Sequence, residues 1–163
     1  MTDADEGTVE QEEHAEDRKA RLEREHNELL QELRSLIPGA EVLFGFLLAV
    51  SFTNQFADLD DGQRYVYYAT LVSTAVALVL YLAPASYHRL RFREGDKDYM
   101  LRKANREAIA GTVASSFALT GVLYLVTTFV FGTAEGIVVA IAFFAFTAWR
   151  WWSHALYREL RGQ

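Results

Sequence analysis

The chain of 163 residues carries 16 Lys and Arg against 22 Asp and Glu, a net charge of -6. It has no cysteine, which excludes disulfides, thiolate metal sites and cysteine nucleophiles. Residues 1–35 hold 12 acids against 5 bases and residues 36–163 hold 10 against 11, so the acidity belongs to an N-terminal tail on one domain.

Residues 1–7 are small, polar and acidic, a composition that favours disorder. Thr8-Val9-Glu10-Gln11 has the spacing of a capping box and predicts a helix start. Leu22, His26, Leu29, Leu30, Leu33, Leu36 and Ile37 then recur at helical spacing, an apolar stripe on a charged helix over about residues 9–36. Pro38-Gly39 predicts a bend or kink there, because proline suits a first helical turn and disfavours a helical residue before it. The tail and its amphipathic helix therefore occupy residues 1–36.

Four stretches beyond that helix lack any charged side chain: residues 42–57, 65–87, 108–134 and 136–149. A helix rises ~1.5 Å per residue and the hydrocarbon core is ~30 Å thick, so about 20 apolar residues cross it. With no water inside the bilayer, each segment must satisfy its own backbone, which a helix does. The sequence thus predicts an all-α, integral membrane four-helix bundle over residues 37–152, with spans at about 38–57, 62–87, 108–131 and 134–152. No basic stretch followed by an apolar one opens the chain, so the first span is expected to be its own insertion signal.

Between the first two spans, Asp58-Leu59-Asp60-Asp61-Gly62 reads as a tight turn in which Asp60 and Gln63 can cap the second helix. Pro84 removes one backbone bond near that helix's end and predicts a kink. In the charged segment 88–107, Tyr99, Met100 and Leu101 suggest a latter half that is already helical. Phe131-Gly132-Thr133 closes the third span. Leu156, Tyr157 and Leu160 among charges predict a short C-terminal helix at 153–163.

With both termini on one side, that side collects 15 of the 16 basic residues, leaving only Arg64 opposite. The bias predicts a multi-pass protein of the cytoplasmic (plasma) membrane with both termini and the middle loop in the cytoplasm. Tyr81, Tyr87, Trp149, Trp151 and Trp152 near span ends are expected to be interfacial anchors.

His26-Asn27-Glu28-Leu29-Leu30-Gln31-Glu32-Leu33-Arg34, Phe44-Gly45-Phe46-Leu47-Leu48 and Arg102-Lys103-Ala104-Asn105-Arg106 resemble an uncharacterised family of small four-span bacterial membrane proteins. That family is best represented in actinobacteria and is classed as a domain of unknown function. The resemblance covers about residues 24–152. It implies four spans and a cytoplasmic amphipathic helix before the first, and it implies no established activity. The family often has glutamine where this chain has Glu41, which weakens a mechanism that needs a carboxylate there.

Glu41 is the only acid that could lie inside a span, and an ionisable group in hydrocarbon marks function by default. In the first turn after Pro38, however, a carboxylate gains from the helix dipole and can snorkel to the interface, and that reading carries more weight. Asn54 and Gln55, with Ser73, Thr74, Ser115, Ser116, Thr120, Thr127 and Thr128, could line a polar path, although hydroxyls in spans more often bond their own or a neighbouring helix. Gly111/Ser115, Ala114/Ala118 and Gly136/Ala140 allow close helix approach, to a neighbouring span or to a second copy. Glu23-x-x-His26 is half a di-iron ligand set without its other half. No catalytic triad or phosphate loop appears, so no enzyme, metal or cofactor is expected.

The expected partners are the lipid bilayer, a second copy, and a protein met by the N-terminal helix, with no nucleic acid. The expected function is that of a non-enzymatic accessory or interaction protein that self-associates. The alternative is a small proton- or cation-coupled transporter acting as a dimer around Glu41, with Asn54 and Gln55 on its path.

Overall fold

The computed structural model describes residues 3–90 and 97–161. It contains five helices and, among the described residues, no strand: α1 (Asp3–Val50), α2 (Asn54–Ala57), α3 (Asp61–Leu90), α4 (Lys97–Phe131) and α5 (Thr133–Arg161). Four of these hold segments long and apolar enough to cross a membrane, Ala20–Val50, Asp61–Pro84, Leu101–Phe131 and Thr133–Arg150. The all-α, four-span architecture read from the sequence is the one observed.

The main difference lies in α1. The helix expected before Pro38 and the span expected after it form one helix, which begins at Asp3, ahead of Thr8, and contains Pro38 in its interior. Neighbouring helices and local adjustment can compensate the backbone bond that proline removes inside a membrane bundle, so continuity is affordable there. The 48 residues of α1 measure about 72 Å, more than twice a ~30 Å hydrocarbon core. The helix also stops earlier than expected, at Val50. Residues 51–53 form a turn in which the Ser51 and Thr53 hydroxyls bond the carbonyls of Leu48 (2.6 Å) and Val50 (2.8 Å), and Asn54 starts α2.

The Asp60 turn is as read. The Gln63 N–H donates to Asp60 Oδ1 at 2.8 Å, and the Asp60 N–H donates to Gln63 Oε1 at 3.2 Å, a reciprocal capping box. Arg64 reaches back to the Ala57 carbonyl (3.0 Å) and fastens α2 to the start of α3. α3 continues through Pro84 to Leu90, and α4 starts at Lys97, within the charged segment. A single residue, Gly132, joins α4 to α5. Its φ of +120° is a conformation that glycine alone adopts readily, and its N–H closes the last turn on the Thr128 carbonyl at 3.0 Å. The short C-terminal helix expected at 153–163 belongs to α5 as far as Arg161.

α4 is the central helix. It packs most extensively on α3, then on α5, and α1 lies against α3 and, less closely, α4. Gly111 makes the α3 contact close, since a Cβ there would stand 2.7 Å from the Tyr81 ring. Tyr81 was expected at an interface as an anchor. It is instead 3% exposed, and its hydroxyl lies 3.0 Å from Ser115 Oγ. Trp149 is exposed, while Tyr87, Trp151 and Trp152 lie outside the residues whose side chains are described. Gly111 and Ser115 therefore face a neighbouring span, as does Gly136, whose near neighbours are Thr128 and Tyr124 of α4.

The outer surface is apolar. In α5 only 6% of the most apolar window is buried inside the chain, and Val138, Ile141 and Phe146 point outward. A water-soluble bundle would turn such side chains inward, whereas hydrocarbon is as apolar as they are. The molecule has the build of a multi-pass membrane protein.

Candidate functional site

Two contacts fix how α1 stands against α3. The Tyr67 hydroxyl donates to the Leu47 carbonyl, and nearer the tail Leu33 and Ala40 share one buried cluster with Ala77 and Tyr81. Antiparallel helices joined at these points set Glu41 level with the α3 turn around Ser73, midway along Asp61–Pro84. Measured along α1, about 13 Å separate Glu41 from Val50, close to half of a ~30 Å hydrocarbon core.

Glu41 therefore sits inside an unbroken helix, and not in the first turn of a helix starting at Pro38. The interfacial reading needed a helix beginning at Pro38, whose free N–H groups would favour a carboxylate. In an unbroken helix position 41 has no first turn around it, and both helix ends are remote. The side chain is exposed, so it faces away from α3 and α4, and it forms no hydrogen bond or ion pair with a described residue.

Asn54 and Gln55 do not join it. Both are exposed on α2 beyond the end of α1, where Gln55 borders a cavity of about 230 Å³ with Val50, Phe56, Tyr67 and Phe129. Several hydroxyls of the spans are bonded within their own helices. Thr70, Thr74, Thr112, Thr120 and Thr147 each donate to the carbonyl four residues back, at 2.7–2.8 Å. Ser115 is taken by Tyr81, and Thr128 Oγ1 is buried without a partner among the described residues. Helix packing accounts for the bonded hydroxyls, and Thr128 is the exception.

At the tail end the amphipathic stripe of α1 meets its own chain. Leu33 is 2% exposed in a cluster with Ala40, Ala77 and Tyr81, against which Leu29 and Ile37 of α1 and Ala108 and Ala114 of α4 pack. Above them, Glu25, Glu28 and Glu32 of α1 face Arg102 and Asn105 of α4 across a groove of about 420 Å³. A second groove, of about 400 Å³, runs from Leu29 and Leu33 to Arg150 of α5. Earlier in α1, Glu16, Asp17, Arg21, Glu23 and Arg24 are exposed, and Arg21 pairs with Glu25 at 3.2 Å. The His26 side chain lies outside the described residues.

The sequence reading missed Glu107. Its Oε2 is buried and without a partner among the described residues. The signal was present: Glu107 stands three residues after Ala104 and four before Gly111, both buried, on the inward stripe of α4.

The model of a family of unknown function, DUF6328, matches residues 15–155. The chain belongs to that family. No curated protein and no solved structure matches it. The DUF6328 match takes in all four candidate spans, Glu41, Asn54, Gln55 and most of the exposed part of α1, so these lie within the family's own domain.

Proposed function

We propose that this DUF6328 chain is a non-enzymatic interaction protein of the cytoplasmic membrane, which self-associates in the bilayer and offers the acidic start of α1 to a partner with a basic surface. One observation carries the reading: α1 is a single helix much longer than a membrane is thick. Leu29, Leu33 and Ile37 hold it to the bundle, and ahead of them the helix reaches back to Asp3, with Glu16, Asp17, Arg21, Glu23 and Arg24 exposed along it. The 15-to-1 distribution of basic residues supports a cytoplasmic position for the arm, the middle loop and the C-terminus. A rigid charged arm steers encounter with an oppositely charged partner.

The test is purification of the full chain and of a variant lacking residues 3–24, with mass analysis of each assembly and of proteins bound to it. The full chain retains a basic partner in low salt and releases it in high salt, while the shortened chain keeps its self-association and loses the partner. Equal retention by both would remove the arm from the function.

A second reading, proton- or cation-coupled transport by a dimer around Glu41, is favoured by the place of that exposed carboxyl group within the apolar stretch of α1. Any path would pass Glu41 on the outer face of α1, because several hydroxyls inside the bundle bond their own helices. In proteoliposomes this reading requires a gradient-driven flux that Glu41→Gln abolishes in a protein that remains folded.

A further inference from the structure

The two grooves at the tail end of α1 share Leu29, Glu32 and Asn105 on their walls, so they form one continuous channel between α1 and α4. Their volumes, about 420 Å³ and 400 Å³, each fall within the ~300–1,000 Å³ of small-molecule sites. The lining changes character along the channel. One end holds Glu25, Glu28 and Arg102, and the other holds Leu33, Leu36, Ala108 and Ile109, none of them charged. At the charged end Glu25 is satisfied by Arg21 at 3.2 Å. The side chains of Glu28, Glu32, Arg102 and Asn105 form no hydrogen bond or ion pair with a described residue. Two carboxylates on one wall and a guanidinium on the other thus border the same space without meeting across it.

We propose that this channel binds a membrane phospholipid with a primary ammonium head, the ammonium on Glu28 and Glu32, the phosphate on Arg102 and Asn105, and an acyl chain along Leu33, Leu36 and Ile109. The site goes beyond the partner assigned to the start of α1 and uses none of the residues 3–24. Charge complementarity selects the head. A wholly cationic ligand would meet Arg102, and a wholly anionic one would meet Glu28 and Glu32, whereas a head that carries both signs answers both walls. A primary ammonium offers three N–H donors to the two carboxylates, and a quaternary ammonium offers none. The arginine fork fits phosphate oxygens, and the Asn105 amide adds a donor beside it. The apolar end selects the chain, because a soluble zwitterion would leave Leu36 and Ile109 uncovered. Helices able to cross a membrane put such a lipid within reach of the channel.

The test reconstitutes the full chain in vesicles of phosphatidylcholine alone, with phosphatidylethanolamine, and with phosphatidylglycerol. The protein is then released into detergent, and mass analysis of the intact complex counts the lipids it keeps. Phosphatidylethanolamine is retained about tenfold over either other lipid, the effect of one charge-assisted hydrogen bond. Glu28→Gln with Glu32→Gln removes that preference, and Arg102→Gln lowers retention of phosphatidylethanolamine about tenfold. Glycerophosphoethanolamine, the same head without chains, fails to displace the lipid, while single-chain lysophosphatidylethanolamine displaces it. Glu28, Glu32 and Arg102 are exposed, so their substitution leaves the fold in place, and helix content measured by circular dichroism checks this. Equal retention of the three lipids, or a preference that survives the paired glutamate substitution, would overturn the proposal. Displacement by glycerophosphoethanolamine would take the apolar end out of the site and overturn the lipid as its occupant. Absence of a lipid preference, with binding of an oligolysine peptide that the paired glutamate substitution abolishes, would put a basic peptide in its place.

Discussion

Two glycines in similar helical settings should respond to the same substitution with opposite signs. At Gly111 a methyl group would stand 2.7 Å and 2.8 Å from two carbons of the Tyr81 ring. That ring is 3% exposed and tethered to Ser115, so it cannot swing aside as the end of a flexible chain would. Overpacking of this kind costs ~1–3 kcal/mol, and the gain from replacing a helical glycine by alanine returns ~0.5–1 kcal/mol. Gly111→Ala should therefore lose about 1–2 kcal/mol net. At Gly39 nothing lies within 4 Å of the added carbon, so Gly39→Ala should keep the helical gain alone. Thermal unfolding in detergent, followed by circular dichroism, should place Gly111→Ala ~2–8 °C below the parent and Gly39→Ala slightly above it. Placing Gly111→Ala in a Tyr81→Ala background removes the clash and should turn its effect neutral or favourable, a coupling of the size seen for residues in contact. An unchanged or raised midpoint for Gly111→Ala alone, or an equal penalty with and without the Tyr81 ring, would refute the close α3–α4 approach.

Three further outcomes are expected. Single cysteines at Thr8, Gly95, Gly162 and Asp60, probed on intact cells with a membrane-impermeant thiol reagent, should react at Asp60 alone, and labelling at Gly95 would reverse the topology. Asp60→Ala removes the acceptor of the 2.8 Å bond that caps α3 and should cost ~1 kcal/mol in unfolding experiments, more than Gln63→Ala, which loses only the 3.2 Å return bond. Leu29→Asp with Leu33→Asp should free α1 at the tail end and expose it to protease, since burying each leucine contributes ~1.5–3 kcal/mol, and unchanged resistance would mean that this face is not held by the bundle.

The spans were legible because one physical requirement dominates them. A membrane helix must be apolar over a set length, so charge-free runs announced all four segments, and the reciprocal cap at Asp60 and Gln63 and the closure at Gly132 followed from local backbone chemistry. Side-chain orientation around each helix was not legible. Tyr81 near a span end has the profile of an anchor, and only its register against Ser115 and Gly111 turns it inward. The apolar stripe of α1 showed a face that needed covering. Its occupant, the chain's own α3 and α4, depended on how far the helix runs on through Pro38.

That continuity also changes what Glu41 is. Proline stops a helix in water because the carbonyl it leaves unbonded and the clash it creates have no compensation. Inside a bundle the same residue can sit within an uninterrupted span. The sequence reading applied the aqueous rule at Pro38 and so started a helix there, which gave Glu41 a first turn, a favourable dipole and a short route to the interface. Removing the helix start removes the first turn and its favourable dipole. The carboxyl group then lies on a continuous helix, on a face of α1 turned away from α3 and α4.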